Sequence, residues 1–366
     1  MTDYYIGLMS GTSLDGVDAI LLAFDATGHM SIVADYSVPY PDDIRHRILA
    51  LQPQGQDELA RAARLGIRLA TLYAEAVGGV LHAAGLGPAD VKAVGCHGQT
   101  IRHAPQQGYT LQIGNLALLA ELSGIDVVGD FRSRDIAAGG QGAPLVPAFH
   151  QALLSHPQHC RVILNVGGIS NLTVLRPDGE VIGFDSGPGN MLMDAWCQRH
   201  LGARFDRDGA WAASGHIVRP LLDVLLAEPF FAAAPPKSTG RDLFDLDWLD
   251  RILDGLPSAT SADVQATLLA LSVRSVADAV GTHAPDCHEV FVCGGGARNG
   301  RFMRELAVAL PEQHITTTDA LGLPPQQVEG AAFGWLARRL LQREPGNLPT
   351  ATGARGARIL GALYPR

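Results

Sequence analysis

"GLMSGTSLDGVDA", residues 7–19, lies between two runs of strand-forming residues and carries three glycines, two aspartates and a row of small hydroxyl side chains. A tight hairpin needs only an Asn-Gly or Asp-Gly pair to reverse the chain. Here Ser10, Gly11, Thr12 and Ser13 follow one another. Such a run leaves backbone N–H groups and hydroxyls open to something small and negative. Residues 4–9, 17–24 and 30–36 read as the strands around this turn, followed by helices over 42–51 and 57–84.

The pattern then returns. "RVILNVGGISNLTVLRPDGEVIGFD", residues 161–185, is again strand, Gly/Ser-rich turn, strand, Pro-Asp-Gly turn, strand. Helical segments follow at 190–200, 216–226 and 261–280. A third Gly-rich turn, "CGGGARNG" at 293–300, stands between a strand and a helix. Two halves that open alike predict a duplicated α/β fold, with mixed β-sheets flanked by helices and a central ligand cleft. The stretch 134–150, crowded with glycines and two prolines, interrupts any regular pattern and is expected to divide the chain. The expected domains are therefore 1–138 and 139–345, with the Gly-rich tail 346–366 returning to the first.

Bulk properties narrow the partners. The chain has 366 residues, 47% of them hydrophobic and 18% charged, with a net charge of −9 and no long basic run. Nucleic acid as main partner is disfavoured, because phosphate-backbone binding needs a concentrated basic face. No apolar stretch approaches the roughly 20 residues of a membrane span, and the N-terminus lacks the regions of a signal peptide. The five cysteines form no CxxC pair, so neither a disulfide framework nor a zinc site is expected. A reduced, cytoplasmic setting follows.

Each Gly-rich turn alone is weak; three, two of them at matching places, point to bound phosphates. None is a Walker loop, since GxxxxGK[ST] does not occur. The arrangement resembles the acetate and sugar kinase, actin and heat-shock ATPase superfamily. The resemblance covers the whole chain and narrows sharply. "GLMSGTSLDGVDA", "GCHGQTIRH", "LQIGN", "GDFRSRDIAAGGQGAPLVP", "NVGGISNLT", "GFDSGPGNMLMD", "PPKSTGRDLF", "CGGGARNG" and "LGALYP" are similar to the anhydro-N-acetylmuramic acid kinases of bacterial cell-wall recycling.

That resemblance implies a duplicated actin-like ATPase fold that uses ATP and Mg²⁺. Its implied reaction is hydrolytic opening of the 1,6-anhydro bridge of 1,6-anhydro-N-acetylmuramic acid with phosphorylation of O6. It also implies a homodimer. Nucleotide contacts are expected at Ser10, Gly11, Thr12, Ser13, Leu14, Asp15, Gly16 and Asp18, at Asn165, Gly167, Gly168 and Ser170, and at Gly294, Gly295, Gly296 and Asn299. The match departs from the wider superfamily at Met9 and Asn165, where acidic residues are usual, so no magnesium role passes to them. Asp15 and Asp18 are the nearby carboxylates and are candidate Mg²⁺ ligands through water. Asp15 reads equally as turn chemistry, and Asp18 as a strand residue facing solvent.

Asp185, in "GFDSGPGN", is the candidate catalytic carboxylate, placed at a strand end beside small residues. Its alternative is a helix cap, although Asn190 is better placed for that. The resemblance implies that Asp185 is the general base. His97, Gln99, Thr100 and Arg132 are the expected sugar contacts, with Arg132 matched to the lactyl carboxylate through its planar fork. Arg132 reads alternatively as a salt-bridge partner of Asp130 or Asp135, and His97 as a satisfied core histidine. Asp135 and Gln141 are weaker candidates, Glu329 is expected near the nucleotide or in solvent, and Lys237–Arg241 carries no assigned chemistry. The rival readings are a plain sugar kinase, a non-catalytic ATPase-like binding module, and a glycoside hydrolase, which would need paired carboxylates and no phosphate turns.

Overall fold

The computed structural model describes residues 2–11, 14–240 and 243–366; Met1, Thr12, Ser13, Arg241 and Asp242 lie outside the described residues. The chain divides into two compact units, Met1–Leu153 with Gln327–Arg366, and Leu154–Gln326.

In the first unit, β1 (Asp3–Met9), β2 (Gly16–Phe24) and β3 (Met30–Pro39) form an antiparallel meander. β4 (Val91–Cys96) lies parallel to β1 on its other side. β5 (Gln99–Ala104) and β6 (Tyr109–Ile113) make a separate hairpin. β7 (Val127–Gly129) continues the main sheet parallel to β4, and the last strand, Ala362–Tyr364, closes it antiparallel to β7. The inner strands are apolar on both faces and almost wholly buried, whereas β3, at the edge, alternates exposed and part-buried residues.

Alternation along β1 decides what packs on each face. Ile6 and Leu8 point into a core with Leu69, Tyr73 and Val77 of the long helix Glu58–Ala84. Gly7, between them, faces the helix Val328–Leu341; a Cβ there would overlap the Gly330 carbonyl. Gly95 on β4 meets the Phe333 carbonyl in the same way. The helix backbone therefore lies directly on the sheet.

The second unit repeats the plan. β8 (Arg161–Val166), β9 (Ile169–Leu175) and β10 (Val181–Pro188) form an antiparallel meander. β11 (Glu289–Cys293) lies parallel to β8, and β12 (His314–Thr317) parallel to β11. The order β10-β9-β8-β11-β12 matches β3-β2-β1-β4-β7 in both sequence and direction. This is the duplicated actin-like α/β architecture. Its core is organised on the helix Ser261–His283, with Phe184, Phe244, Leu268 and Val276 buried around it.

The structure differs from three expectations. Residues 134–150 are not an irregular divider: helices Ser133–Ala137 and Val146–Leu154 form there. The first changeover falls later than expected, at 153/154, and the second earlier, at 326/327, the second because the helix Val328–Leu341 buries its glycine face on the first sheet. Cys160 and Cys287, expected to be reduced, are paired as a disulfide with Cα atoms 4.7 Å apart. They precede β8 and β11, and the parallel register Arg161–Glu289 sets them side by side. A separation of 127 residues hides that neighbourhood in the sequence.

Candidate active site

In the second unit the parallel strands β8 and β11 end level with each other, Asn165 beside Cys293. In open α/β sheets ligands bind at such carboxyl ends. Gly167–Gly168 turns the chain after β8; Gly294, at φ 78°, follows β11. A Cβ on Gly294 would strike Asn165, and one on Gly296 would strike Val166, so the two turns touch. Gly295 opens the short 3₁₀ turn Gly295–Arg298.

The Gly167 and Gly168 carbonyls serve the helix Met191–Leu201. Asn190 N donates to Gly167 O at 2.8 Å, and Gly189 N and Met191 N donate to Gly168 O at 2.8 and 3.1 Å. Orphan N–H groups at the helix start are thus met by the turn. The side chain of Asn190 makes no cap, against expectation; its Nδ2 donates to Val166 O at 3.1 Å. Asn299 caps the helix Gly300–Ala309, accepting from Phe302 N at 3.1 Å. Its side-chain oxygen is spent there. Ser170 is wholly buried within β9, and its hydroxyl has no partner among the described residues.

Asp185 lies within β10, two strands from Asn165: Asn171 on β9 pairs with both. The ladder slips between Asp185 and Gly187. Protein surrounds the carboxylate, and loss of water pushes its pKa from 3.8 up to about 7; the Thr239 N–H and the Lys237 charge pull the other way. Thr239 N donates to Asp185 Oδ2 at 2.9 Å. The residues "KSTG", which sequence reasoning left without a role, therefore grip the candidate base. Their closeness to Asp185 is long-range and had no periodic signal.

In the first unit Ser10 is 2% exposed and its hydroxyl turns inward, donating to Gly98 O at 2.9 Å and meeting Tyr73 OH at 3.0 Å. Only the backbone of Ser10 is left to a phosphate. Gly11 O accepts from Leu14 N and from Gln99 Nε2, each at 3.3 Å. Leu14 is buried at φ 59°, a left-handed conformation unusual for a leucine. Gly16 is small because a Cβ would overlap the Val38 carbonyl on β3. Asp15 and Asp18 are exposed, and Asp18 accepts from the Ser37 hydroxyl. Thr12 and Ser13 lie outside the described residues.

His97 follows β4, its N–H bonded to Leu8 O at 3.0 Å. Arg132 donates to its Nε2 through Nε and Nη2, at 3.3 and 2.9 Å, and through Nη1 to Gly142 O at 2.7 Å. Among the described residues no carboxylate pairs directly with Arg132. Asp130 takes the Ser133 hydroxyl instead, and Asp135 is wholly buried, accepting from Gly142 N, Asn347 Nδ2 and Thr352 Oγ1. Burial first, and Arg132 second, push His97 down to about 3, so it stays neutral. Thr100 Oγ1 accepts from Gln112 Nε2 at 3.1 Å. A hollow of about 300 Å³ opens here, lined by His97, Thr110, Gln112, Asp130 and Ser133 among others.

The profile of the anhydro-N-acetylmuramic acid kinases matches residues 3–366. The chain belongs to the anhydro-N-acetylmuramic acid kinase family. It is 60% identical over 367 residues to the anhydro-N-acetylmuramic acid kinase of Chromobacterium violaceum, covering 100% of both chains. It is 55% identical over 361 residues to that of Pseudomonas paraeruginosa, covering 99% of this chain and 98% of the relative. The activator of the 2-hydroxyisocaproyl-CoA dehydratase from Clostridium difficile, with bound ADPNP, aligns at TM-score 0.46 and 15% identity over 94% of this chain and 99% of that one. The architecture rests on the strand order given above.

As an anhydro-N-acetylmuramic acid kinase family member the chain is a phosphotransferase. The residues present suit an outer, water-mediated hold on Mg²⁺ and no more. Asp15 and Asp18 are exposed carboxylates, and no third acidic or imidazole ligand gathers with them among the described residues. Magnesium commonly keeps several waters and takes one or two carboxylates plus substrate phosphates. No helix among the described residues is long and apolar enough to cross a membrane. Glu329 lends favourable charge to Arg132. Asp135 and its partners Asn347 and Thr352 were missed as a network; the sequence shows no link across more than 200 residues.

Proposed function

We propose that this kinase couples two bond changes on 1,6-anhydro-N-acetylmuramic acid, with Asp185 as the base. Water attacks C1 as its proton passes to the Asp185 carboxylate. The C1–O6 bond breaks, and O6 takes the γ-phosphoryl group of ATP, giving N-acetylmuramic acid 6-phosphate and ADP. One carboxylate suffices because the phosphoryl group takes the place of the proton that a glycosidase acid delivers. The observation that carries the reading is the desolvated Asp185 carboxylate, whose pKa of about 7 suits a base working near neutrality. A base so placed contributes roughly 10²–10⁴ in rate.

The turns after β1 and β8 and the Gly294–Gly296 turn are the proposed phosphate and nucleotide contacts, chiefly through backbone N–H groups. Bound Mg²⁺ would neutralise charge on the transferring phosphoryl, with Asp15 and Asp18 reaching it through water. Arg132, whose charge has no direct carboxylate partner among the described residues, is the proposed contact for the lactyl carboxylate, beside His97. Gln99 and Thr100 line the same region. The enzyme is proposed to act in the cytoplasm as a homodimer, which its sedimentation velocity tests.

The decisive experiment is turnover with Mg·ATP in ¹⁸O-labelled water. Label at C1 together with one added phosphate supports the coupled reaction. Phosphate without label makes the enzyme an ordinary sugar kinase. Gly11→Val should weaken ATP binding with the fold retained; unchanged affinity would remove the phosphate-turn assignment.

A further inference from the structure

The segment after the Pro235–Pro236 pair runs beside β10, the edge strand of the second sheet. Asp185 N donates to Lys237 O at 3.0 Å, and Thr239 N donates back to Asp185 Oδ2 at 2.9 Å. Two residues of the segment thus clasp one residue of the strand, once by backbone and once by carboxylate. The segment is itself tied down. The Lys237 ammonium donates to Phe230 O at 3.1 Å and Phe231 O at 3.0 Å, and stands 4.7 Å from the Phe230 ring centroid. Phe230 and Phe231 pack on Phe244, which is wholly buried. Phe184, next to Asp185, sits 6.0 Å from the same ammonium.

We propose that Lys237 and Thr239 are positioning residues for Asp185. The Thr239 N–H holds Oδ2 and so turns Oδ1 toward the proton it must take, while Lys237 anchors the segment to the aromatic core and keeps a positive charge facing the carboxylate. The proposal rests on Asp185 being the base. It accounts for an ammonium that forms no ion pair among the described residues yet sits among aromatic rings, where desolvation lowers its own pKa and Asp185 partly restores it. A hydrogen bond to the ionised form and a nearby cation both favour that form. Without them burial alone would carry Asp185 higher still, and less of the base would be ionised at neutral pH. Among the described residues the other titratable group facing this cluster is His283, at the end of the helix that packs on β10; its ring lies 4.8 Å from that of Phe184. Lys237 lowers its pKa further.

The test measures the Asp185 pKa directly, by ¹³C NMR of the full-length protein labelled at aspartate Cγ. The resonance is identified as the one missing in Asp185→Asn. Lys237→Met removes charge and tether. Lys237→Gln removes the charge but keeps a donor for the Phe230 and Phe231 carbonyls, which guards against a variant that fails to fold. Both should raise the Asp185 pKa by about one unit, and turnover at pH 6 should fall about tenfold with the KM for ATP little changed. Lys237→Arg should restore the wild-type pKa to within a few tenths. An unmoved resonance in folded Lys237→Gln overturns the positioning role, whatever Asp185 does. Full activity in Asp185→Asn overturns the base instead, and the two failures are told apart.

Discussion

Arg132 donates twice to Nε2 of His97, and this fixes the imidazole as a neutral ring with its proton on Nδ1. That nitrogen has no hydrogen-bond partner among the described residues. Lysine cannot copy a fork that reaches His97 and the Gly142 carbonyl together. Arg132→Lys should raise the KM for the anhydro-sugar at least tenfold, with a smaller change in kcat. Steady-state kinetics against sugar concentration would show it; an unchanged KM would remove Arg132 from the sugar contacts.

His97 and His150 are both pushed from 6.5 to about 3, in each case chiefly by burial. Their folded pKa values lie below the unfolded ones, so the unfolded chain binds more protons as pH falls below 6.5. Stability is then lost on acidification, at about 1.4 kcal/mol per pH unit for each histidine. Asp185 opposes one of the two histidines over this range, so in urea unfolding at pH 6 and 5 His150→Gln should lower the slope by about 1.4 kcal/mol per pH unit.

Asp185 has the opposite sign. Its folded pKa, about 7, lies above the ordinary 3.8. The stability it contributes is full below about pH 4 and is lost as pH rises through 7, where a desolvated charge must be held. Asp185→Asn should therefore unfold at higher urea than wild type at pH 8, by about 1 kcal/mol or more, while losing turnover. In the wild type kcat should rise with pH on a limb near 7. A rate flat from pH 5.5 to 8.5 would contradict the assignment.

Asp135 gathers Gly142 N, Asn347 Nδ2 and Thr352 Oγ1 on one buried carboxylate. Asp135→Ala strands these donors away from water, at about 1–3 kcal/mol each. A destabilisation of about 3 kcal/mol or more is expected in thermal unfolding. Asp135→Asn, which keeps an acceptor, should lose less.

Much of this architecture was legible because it is local. The meanders 4–36 and 161–185 show in alternation and turn residues, and the helix Glu58–Ala84 in its apolar stripe and closing Gly85. The duplication followed from comparing two such stretches. What stayed hidden depends on tertiary register. The Ser10 hydroxyl looks exposed in a Gly/Ser run, and only the position of Tyr73 turns it inward. Asn299 reads as a turn residue until the helix it caps is seen. The grip of Thr239 on Asp185 spans 54 positions and uses a backbone N–H, which every non-proline residue has. No side-chain pattern records such a bond.

The first unit is assembled from two separate stretches of chain, whereas the second is one uninterrupted stretch, 154–326. A chain emerging from the ribosome therefore completes the second unit first. The opening sheet waits through some 170 residues of synthesis for the helix Val328–Leu341 that covers its glycine face, and longer for the strand Ala362–Tyr364 at its edge. Chains released after residue 326 should hold a folded second unit and an uncovered first sheet.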